Sequence, residues 1–94
     1  MRMTTHAEWI KIDPERLLCA LRQEAVENIN NGLGEVILDF SSVHRVDSIA
    51  VEALEELSGL AEARSVKIAL HAVNLDVYKV LKLLKLTQRF SFQG

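Results

Sequence analysis

Polar and apolar residues along the chain follow two spacings, one typical of β-strands and the other typical of α-helices. Alternation over residues 7–13 and a β-branched apolar run over residues 35–40 each predict a strand. The segments VKIAL at 66–70 and RFSF at 89–92 predict a third strand and a short final one. The pattern therefore indicates a sheet of about four strands.

The stretches between these strands have the periodicity of helices. Asp13 and Pro14 suit the positions at which a helix begins, so the first helix is predicted over about residues 14–30. The second is predicted to begin after Asp47 and the third after Asn74, because Asp and Asn cap helix N-termini. The apolar residues predicted to be buried are Leu18, Leu21, Ala25 and Ile29 on the first helix, Ile49, Ala50, Ala53, Leu54, Leu57, Leu60 and Ala61 on the second, and Val77, Val80, Leu81 and Leu84 on the third.

This order of elements predicts an α/β fold. Strands that alternate with helices form a parallel or mixed sheet, here of about four strands covered by about three to four helices. A chain of 94 residues supplies one hydrophobic core, so we expect a single domain over residues 1–94, with Trp9 in that core. Binding sites on such sheets lie beyond the carboxyl ends of the strands. Asp47 and Ser48 follow the second strand and are predicted to lie at that edge.

The composition is that of an ordinary globular protein and argues against several classes of function. Hydrophobic residues make up 49% of the chain and charged residues 26%, and the formal net charge is −2. Such a charge gives no general attraction to phosphate backbones, so direct nucleic-acid binding is not expected. No apolar stretch approaches the ~20 residues of a membrane-spanning helix. The single Cys19 forms no internal disulfide and no signal-peptide pattern follows Met1, so we expect a cytoplasmic protein.

Enzymatic and metal-binding functions find little support in the motifs. His44, Asp47 and Ser48 are the residue types of a hydrolytic triad, but the chain has no Gly-x-Ser-x-Gly elbow. Positions so close in sequence are also poorly placed to align as base, orienting group and nucleophile. The histidines lack the spacing of a zinc site, and no Gly-rich phosphate-binding loop is present. We therefore predict a non-enzymatic protein with no cofactor and no metal.

The Asp47–Ser48 pair admits two remaining interpretations. Both residues could simply cap the second helix, which is the ordinary role of such a pair. Alternatively, Asp47 caps the helix while the Ser48 hydroxyl faces outwards, where another protein reads or modifies it. Phosphorylation would add roughly −1.5 to −2 charge units at a helix end that tolerates anions, yet would repel a partner packed against a neutral hydroxyl.

The segment VILDFSSVHRVDS, the apolar helix that follows it, and the later segments VKIALHAVN and VYKVLKLLKLTQRF resemble the STAS domain. This domain is shared by bacterial anti-sigma factor antagonists and the cytoplasmic tails of sulfate transporters. The resemblance covers about residues 33–92. The family pattern at the helix start is Asp-Ser-Ser-Gly, which Asp47 and Ser48 match, whereas Ile49 and Ala50 replace the second Ser and the Gly. In antagonists a partner kinase phosphorylates the serine of the Asp-Ser pair, so the resemblance implies that Ser48 is phosphorylated.

The resemblance implies a regulatory interaction module whose partner is an anti-sigma factor or a related serine kinase. An accessory subunit of a membrane transport system, docking on an ATPase or permease without phosphorylation, is the alternative. Self-association into a homo-oligomer is compatible with both. An acidic, partly apolar helix beside a modifiable serine suits a basic partner. The predicted partner-binding surface consists of Arg45, Asp47, Ser48, Ile49, Val51, Glu52 and Glu55.

The last helix carries a second charged feature. Lys79, Lys82 and Lys85 recur every three residues, opposite the predicted apolar stripe. A solvated helix face is the ordinary interpretation of such lysines, and a surface for an acidic partner or an anionic lipid is the functional one.

Overall fold

Four parallel strands form the sheet of the computed structural model, which describes residues 7–31 and 34–93. The strands pair in chain order, so Trp9 lies opposite Ile37 and Ile37 lies opposite Ala69. The strands are β1 (Ala7–Lys11), β2 (Glu35–Asp39), β3 (Lys67–His71) and β4 (Ser91–Gln93). The predicted α/β fold is confirmed, and its sheet is parallel throughout these strands.

Three helical segments connect the strands at the predicted places. The first, α1, covers residues 14–30, and the others are α2 (Ser48–Ala63) and α3 (Leu75–Leu83). The Asp13 side chain caps the start of α1 by accepting a hydrogen bond from the Glu15 backbone N–H. Within α1 the chain changes geometry, and its successive parts are a 3-10 turn (Pro14–Arg16), an α-helical turn (Leu17–Cys19), a π-helical stretch (Ala20–Glu24) and an α-helix (Ala25–Asn30).

The π-helical stretch changes which residues of α1 face the sheet. The Ala25 N–H donates to the Ala20 carbonyl, five residues earlier, so both alanines lie on the buried side. Leu21 and Ile29 are buried as predicted. Leu18 was predicted on the same stripe but is 37% exposed, because a spacing of five residues does not continue the regular helical periodicity.

The hydrophobic core lies between the helices and one face of the sheet. Connections between neighbouring parallel strands are right-handed, which places successive helices on the same side. Strand residues in even-numbered positions, such as Val36 and Leu38 on β2, belong to this core. The helix residues buried against them are Ala20, Leu21, Ala25 and Ile29 of α1, Val51, Ala53, Leu54, Leu57 and Ala61 of α2, and Val77 and Leu81 of α3.

Trp9 does not belong to this core, contrary to the prediction. It lies on the edge strand β1, on the strand face opposite that of Ile10, and is 52% exposed. Its ring meets the His71 ring edge to face, with 4.9 Å between centroids. Because Trp9 and Ile10 alternate on the strand, burial of Ile10 against the helices turns Trp9 to the other face.

Two further positions differ from the predicted helical stripes. The predicted apolar stripe of α2 leaves Ser58 out, yet this residue is buried. Its hydroxyl donates to the Glu55 carbonyl at 2.8 Å and accepts from Arg89 at 3.3 Å. Those bonds satisfy the hydroxyl in the core. Leu84 was placed on the buried stripe of α3 but is 51% exposed, because the helix ends at Leu83. The chain then turns through a left-handed residue and buries the side chain of Leu86 instead.

Gly59 offers a test of the helix energetics. It lies inside α2, where glycine is unfavourable, and a Cβ added there would meet no atom within 4 Å. We expect Gly59→Ala to raise the free energy of unfolding by about 0.5–1 kcal/mol, measured by urea denaturation. The exposed neighbour Glu56 provides the reverse control, because Glu56→Gly should lower the same free energy by a similar amount. A loss of stability in Gly59→Ala would contradict the open space around the position.

Candidate functional site

The loop from Phe40 to Asp47 joins β2 to α2 and is held by two buried side chains. Phe40 and Val43 are almost fully buried. The Phe40 N–H donates to the His71 carbonyl on the neighbouring strand, and the Val43 N–H donates to the Phe40 carbonyl, both at 2.9 Å. These bonds extend the pairing of β2 with β3 into the loop and so fix the position at which α2 begins.

Asn74 joins this loop to the start of α3. Its side-chain carbonyl accepts from the Val77 N–H at 2.8 Å, which caps α3 as predicted. Its side-chain N–H donates to the His44 carbonyl at 3.1 Å. One side chain thus sets the beginning of α3 and the path of the loop ahead of Ser48. The sequence predicted the cap but not the second bond, because the two partners are thirty positions apart.

Asp47 caps α2 and leaves Ser48 exposed. The Asp47 backbone is extended, its carboxylate accepts from the Ala50 N–H at 2.8 Å, and its carbonyl accepts from the Val51 N–H at 3.0 Å. The helix begins at Ser48, as predicted. Because Asp47 satisfies the helix end, the Ser48 hydroxyl is not needed for capping and is open to solvent.

Asp39 supplies a second carboxylate at this edge of the sheet. It accepts from the Ser41 N–H at 2.9 Å. The pKa of its carboxyl lies below the usual value of 3.8, first because of that bond and then because of the Ser41 hydroxyl. Burial opposes the shift, and the charges of Lys11 and His71 lower the pKa by smaller amounts. The carboxylate thus stays ionised at neutral pH and holds the first turn of the loop.

This lowered pKa predicts a small pH dependence of stability. A carboxyl whose pKa falls on folding stabilises the protein above its unfolded pKa and loses that contribution as the pH falls through the folded value. We expect the stability difference between the parent and Asp39→Asn to favour the parent at neutral pH and to shrink below about pH 4. Urea unfolding of both proteins at neutral and acidic pH measures this difference in the free energy of unfolding. A difference that is constant across this range would contradict the role of Asp39.

A surface cleft lies between this loop and the start of α1. Residues 14–19 form one side, and Arg45, Asp47 and Ala50 form the other. The exposed part of Leu18 lies in this cleft. The sequence alone does not place residues 14–19 in the site, since only the packing of α1 beside α2 brings these distant segments together. Arg45 gives the cleft a cation next to the capping carboxylate.

The predicted site residues fall into two groups. Those with exposed side chains at or near the start of α2 are Arg45, Asp47, Ser48, Ile49, Glu52 and Glu55. Val51 is 6% exposed and packs in the core, so its place on the predicted surface is corrected. Ile49, which the helical spacing placed on the buried stripe, is 50% exposed and is the apolar neighbour of Ser48 instead.

In the part of the chain that the structure describes, the residues of the hypothetical hydrolytic triad are not hydrogen-bonded to one another. Among the described hydrogen bonds, none joins the His44 ring to the Ser48 hydroxyl, and the Asp47 carboxylate is engaged with the Ala50 N–H. No three histidine, cysteine, aspartate or glutamate residues lie together as a metal site within residues 7–31 and 34–93. In the same part of the chain, no helix combines the length and the apolar character needed to cross a bilayer.

Comparisons with known proteins agree with the fold. A search of curated protein sequences gave no match. Among solved structures, a Thermotoga maritima protein provisionally assigned as an anti-sigma factor antagonist has a TM-score of 0.72 and 21% identity, over 98% of this chain and 75% of its own length. An NMR structure of the same protein has a TM-score of 0.74 and 18% identity, over 97% and 76%.

The sequence itself matches the family profile of the STAS domain over residues 6–93. The match is longer than the resemblance seen over residues 33–92, because it includes β1 and α1. With nearly the whole chain covered and the Asp47–Ser48 pair at the start of α2, the protein belongs to the STAS domain family.

Proposed function

We propose that this protein is a non-enzymatic, cytoplasmic regulator that binds a protein partner through the start of α2, with Ser48 as a phosphorylation switch. The observation that carries the proposal is that Asp47 and Ser48 have separate roles at this helix end. Asp47 holds the cap through the Ala50 N–H, and Ser48 is exposed beside it. A modification of Ser48 can therefore change the surface without removing the cap of the helix.

The surroundings of Ser48 suit recognition by another protein. Ile49 is half exposed and offers an apolar contact, while Glu52 and Glu55 place negative charge one and two turns further along α2. Arg45 lies in the cleft between α1 and the loop that precedes α2. An apolar centre with charges around it has the character of a protein interface. The structural neighbour provisionally assigned as an anti-sigma factor antagonist supports a partner of the anti-sigma factor class, and the family resemblance at Ser48 extends this class to a related serine kinase.

Phosphorylation of Ser48 is tested with the partner and ATP. The partner is recovered by affinity capture on the full chain, identified by mass spectrometry, purified, and incubated with the chain and ATP. We expect a phosphate on Ser48, located by peptide mass spectrometry, and no such phosphate in Ser48→Ala. Ser41 is an exposed serine in the same loop, so Ser41→Ala is the matched control and should still be phosphorylated. A kinase partner that binds but leaves Ser48 unmodified would contradict the switch.

Ile49 also favours a second candidate function. The family pattern has a serine at this position, and the exposed isoleucine makes the surface next to Ser48 more apolar. A permanent contact with a transporter ATPase or permease would use such an apolar residue without needing phosphorylation. Recovery of transporter components, together with loss of capture in Ile49→Asp and unchanged capture in Ser48→Asp, would identify this accessory role.

A further inference from the structure

The outer face of α3 exposes leucine and lysine side chains that the fold does not use. Leu83 is 82% exposed, and Lys79, Lys82 and Lys85 line a shallow groove together with it. A protruding leucine ringed by lysines contributes little to the core of its own chain. We call Lys79, Lys82, Leu83 and Lys85 the basic face.

The outer face of α2 carries the opposite charge and has an open position at Gly59. Gly59 has no side chain, and the space where a Cβ would lie is open. On a helix, positions three and four residues away surround a given position. Around Gly59 these positions are occupied by Glu55, Glu56, Glu62 and Ala63, all exposed. This acidic face, defined as Glu55, Glu56, Gly59 and Glu62, is therefore a shallow depression bordered by carboxylates.

We propose that the basic face of one copy of this chain docks on the acidic face of a second copy. Leu83 would occupy the depression over Gly59, and the lysines would lie against the glutamates. Apolar contact at the centre and opposite charges at the rim together form the arrangement of a protein interface. The proposal does not depend on the modification of Ser48.

The faces themselves determine the kind of assembly. The contact joins two different surfaces, so in a docked pair one copy still has a free acidic face and the other a free basic face. Further copies can dock on these free faces, so the size of the oligomers increases with protein concentration. Exposed charges are screened by salt, so added salt weakens the contact. An anionic lipid surface would also attract the lysines, but the exposed Asp76 in the first turn of α3 would be repelled by its headgroups. The complementary face, by contrast, is present on the same chain.

Charge reversal of each face gives a sharp test by sedimentation velocity on the full chain. We expect the parent to sediment faster as its concentration rises at low salt. Lys79→Glu/Lys82→Glu makes both faces acidic, and Glu55→Lys/Glu56→Lys makes both faces basic, so each variant alone should associate about tenfold more weakly or not at all. An equal mixture of the two variants restores opposite charges across the contact and should associate like the parent.

The controls separate this contact from general charge effects. Lys11→Glu/Lys67→Glu changes the net charge equally at exposed positions on the sheet and should associate like the parent. Gly59→Gln places a side chain over the depression, where a Cβ meets no atom within 4 Å, so it should fold but associate weakly. A parent that is monomeric at all concentrations, or a mixture that fails to associate, would overturn the proposal. Binding of the parent to phosphatidylserine vesicles that is lost in Lys79→Glu/Lys82→Glu, with sedimentation unchanged, would overturn it in favour of a lipid surface.

Discussion

Leu54→Asp should abolish the cooperative unfolding transition of this protein. Leu54 is fully buried in the middle of α2 and belongs to the core between the helices and the sheet. The substitution removes a large apolar side chain from the core and places an unpaired carboxylate there, which together cost on the order of 5–10 kcal/mol. A domain of this size has a total stability of roughly 5–15 kcal/mol. Thermal melts followed by circular dichroism measure the loss.

Ile49→Asp is the matched control for this result. It makes the same chemical change on the same helix, but Ile49 is half exposed and lies in the first turn, where a carboxylate is favourable. We expect its free energy of unfolding to stay within about 0.5 kcal/mol of the parent. A cooperative melt near the parent temperature in Leu54→Asp would show that this position is not part of the core.

The features that the sequence predicted well depend on short-range interactions. The start of α2 at Ser48 follows from a cap between Asp47 and a residue three positions later. The uninterrupted apolar runs of β2 and β3 similarly report the burial of these strands, each of which has three consecutive buried residues. Such interactions involve neighbours in sequence, so a single sequence contains the information needed to recognise them.

The features that the sequence did not predict depend on which surface another element covers. Alternation showed that Trp9 and Ile10 lie on opposite faces of β1, but not that the helices cover only the Ile10 face. Val51 and Ile49 were both apolar candidates on α2, and only the position of the sheet and α1 decides that Val51 is buried. The bond from Asn74 to the loop before Ser48 likewise joins elements that are far apart in sequence.

Ser48→Asp should leave the fold intact and weaken partner binding by about tenfold or more, which corresponds to ~1.4 kcal/mol. An acidic residue at the first position of α2 is favoured by the positive end of the helix, so stability should be kept. The added charge, however, would lie in the contact with the partner, next to Asp47 and near Glu52. Isothermal titration calorimetry with the captured partner and thermal melts measure the two effects separately.

Three variants distinguish this switch from a pair of residues that only cap the helix. Ser48→Ala should keep its affinity and lose at most about 1 kcal/mol of stability, because Asp47 supplies the cap. Asp47→Ala should lose about 0.5–2 kcal/mol, since the Ala50 N–H then has no side-chain partner. Ser91→Asp adds the same charge at an exposed position of β4 and should bind like the parent. If Ser48→Asp also binds like the parent, the Asp47–Ser48 pair only caps α2, and the switch is ruled out.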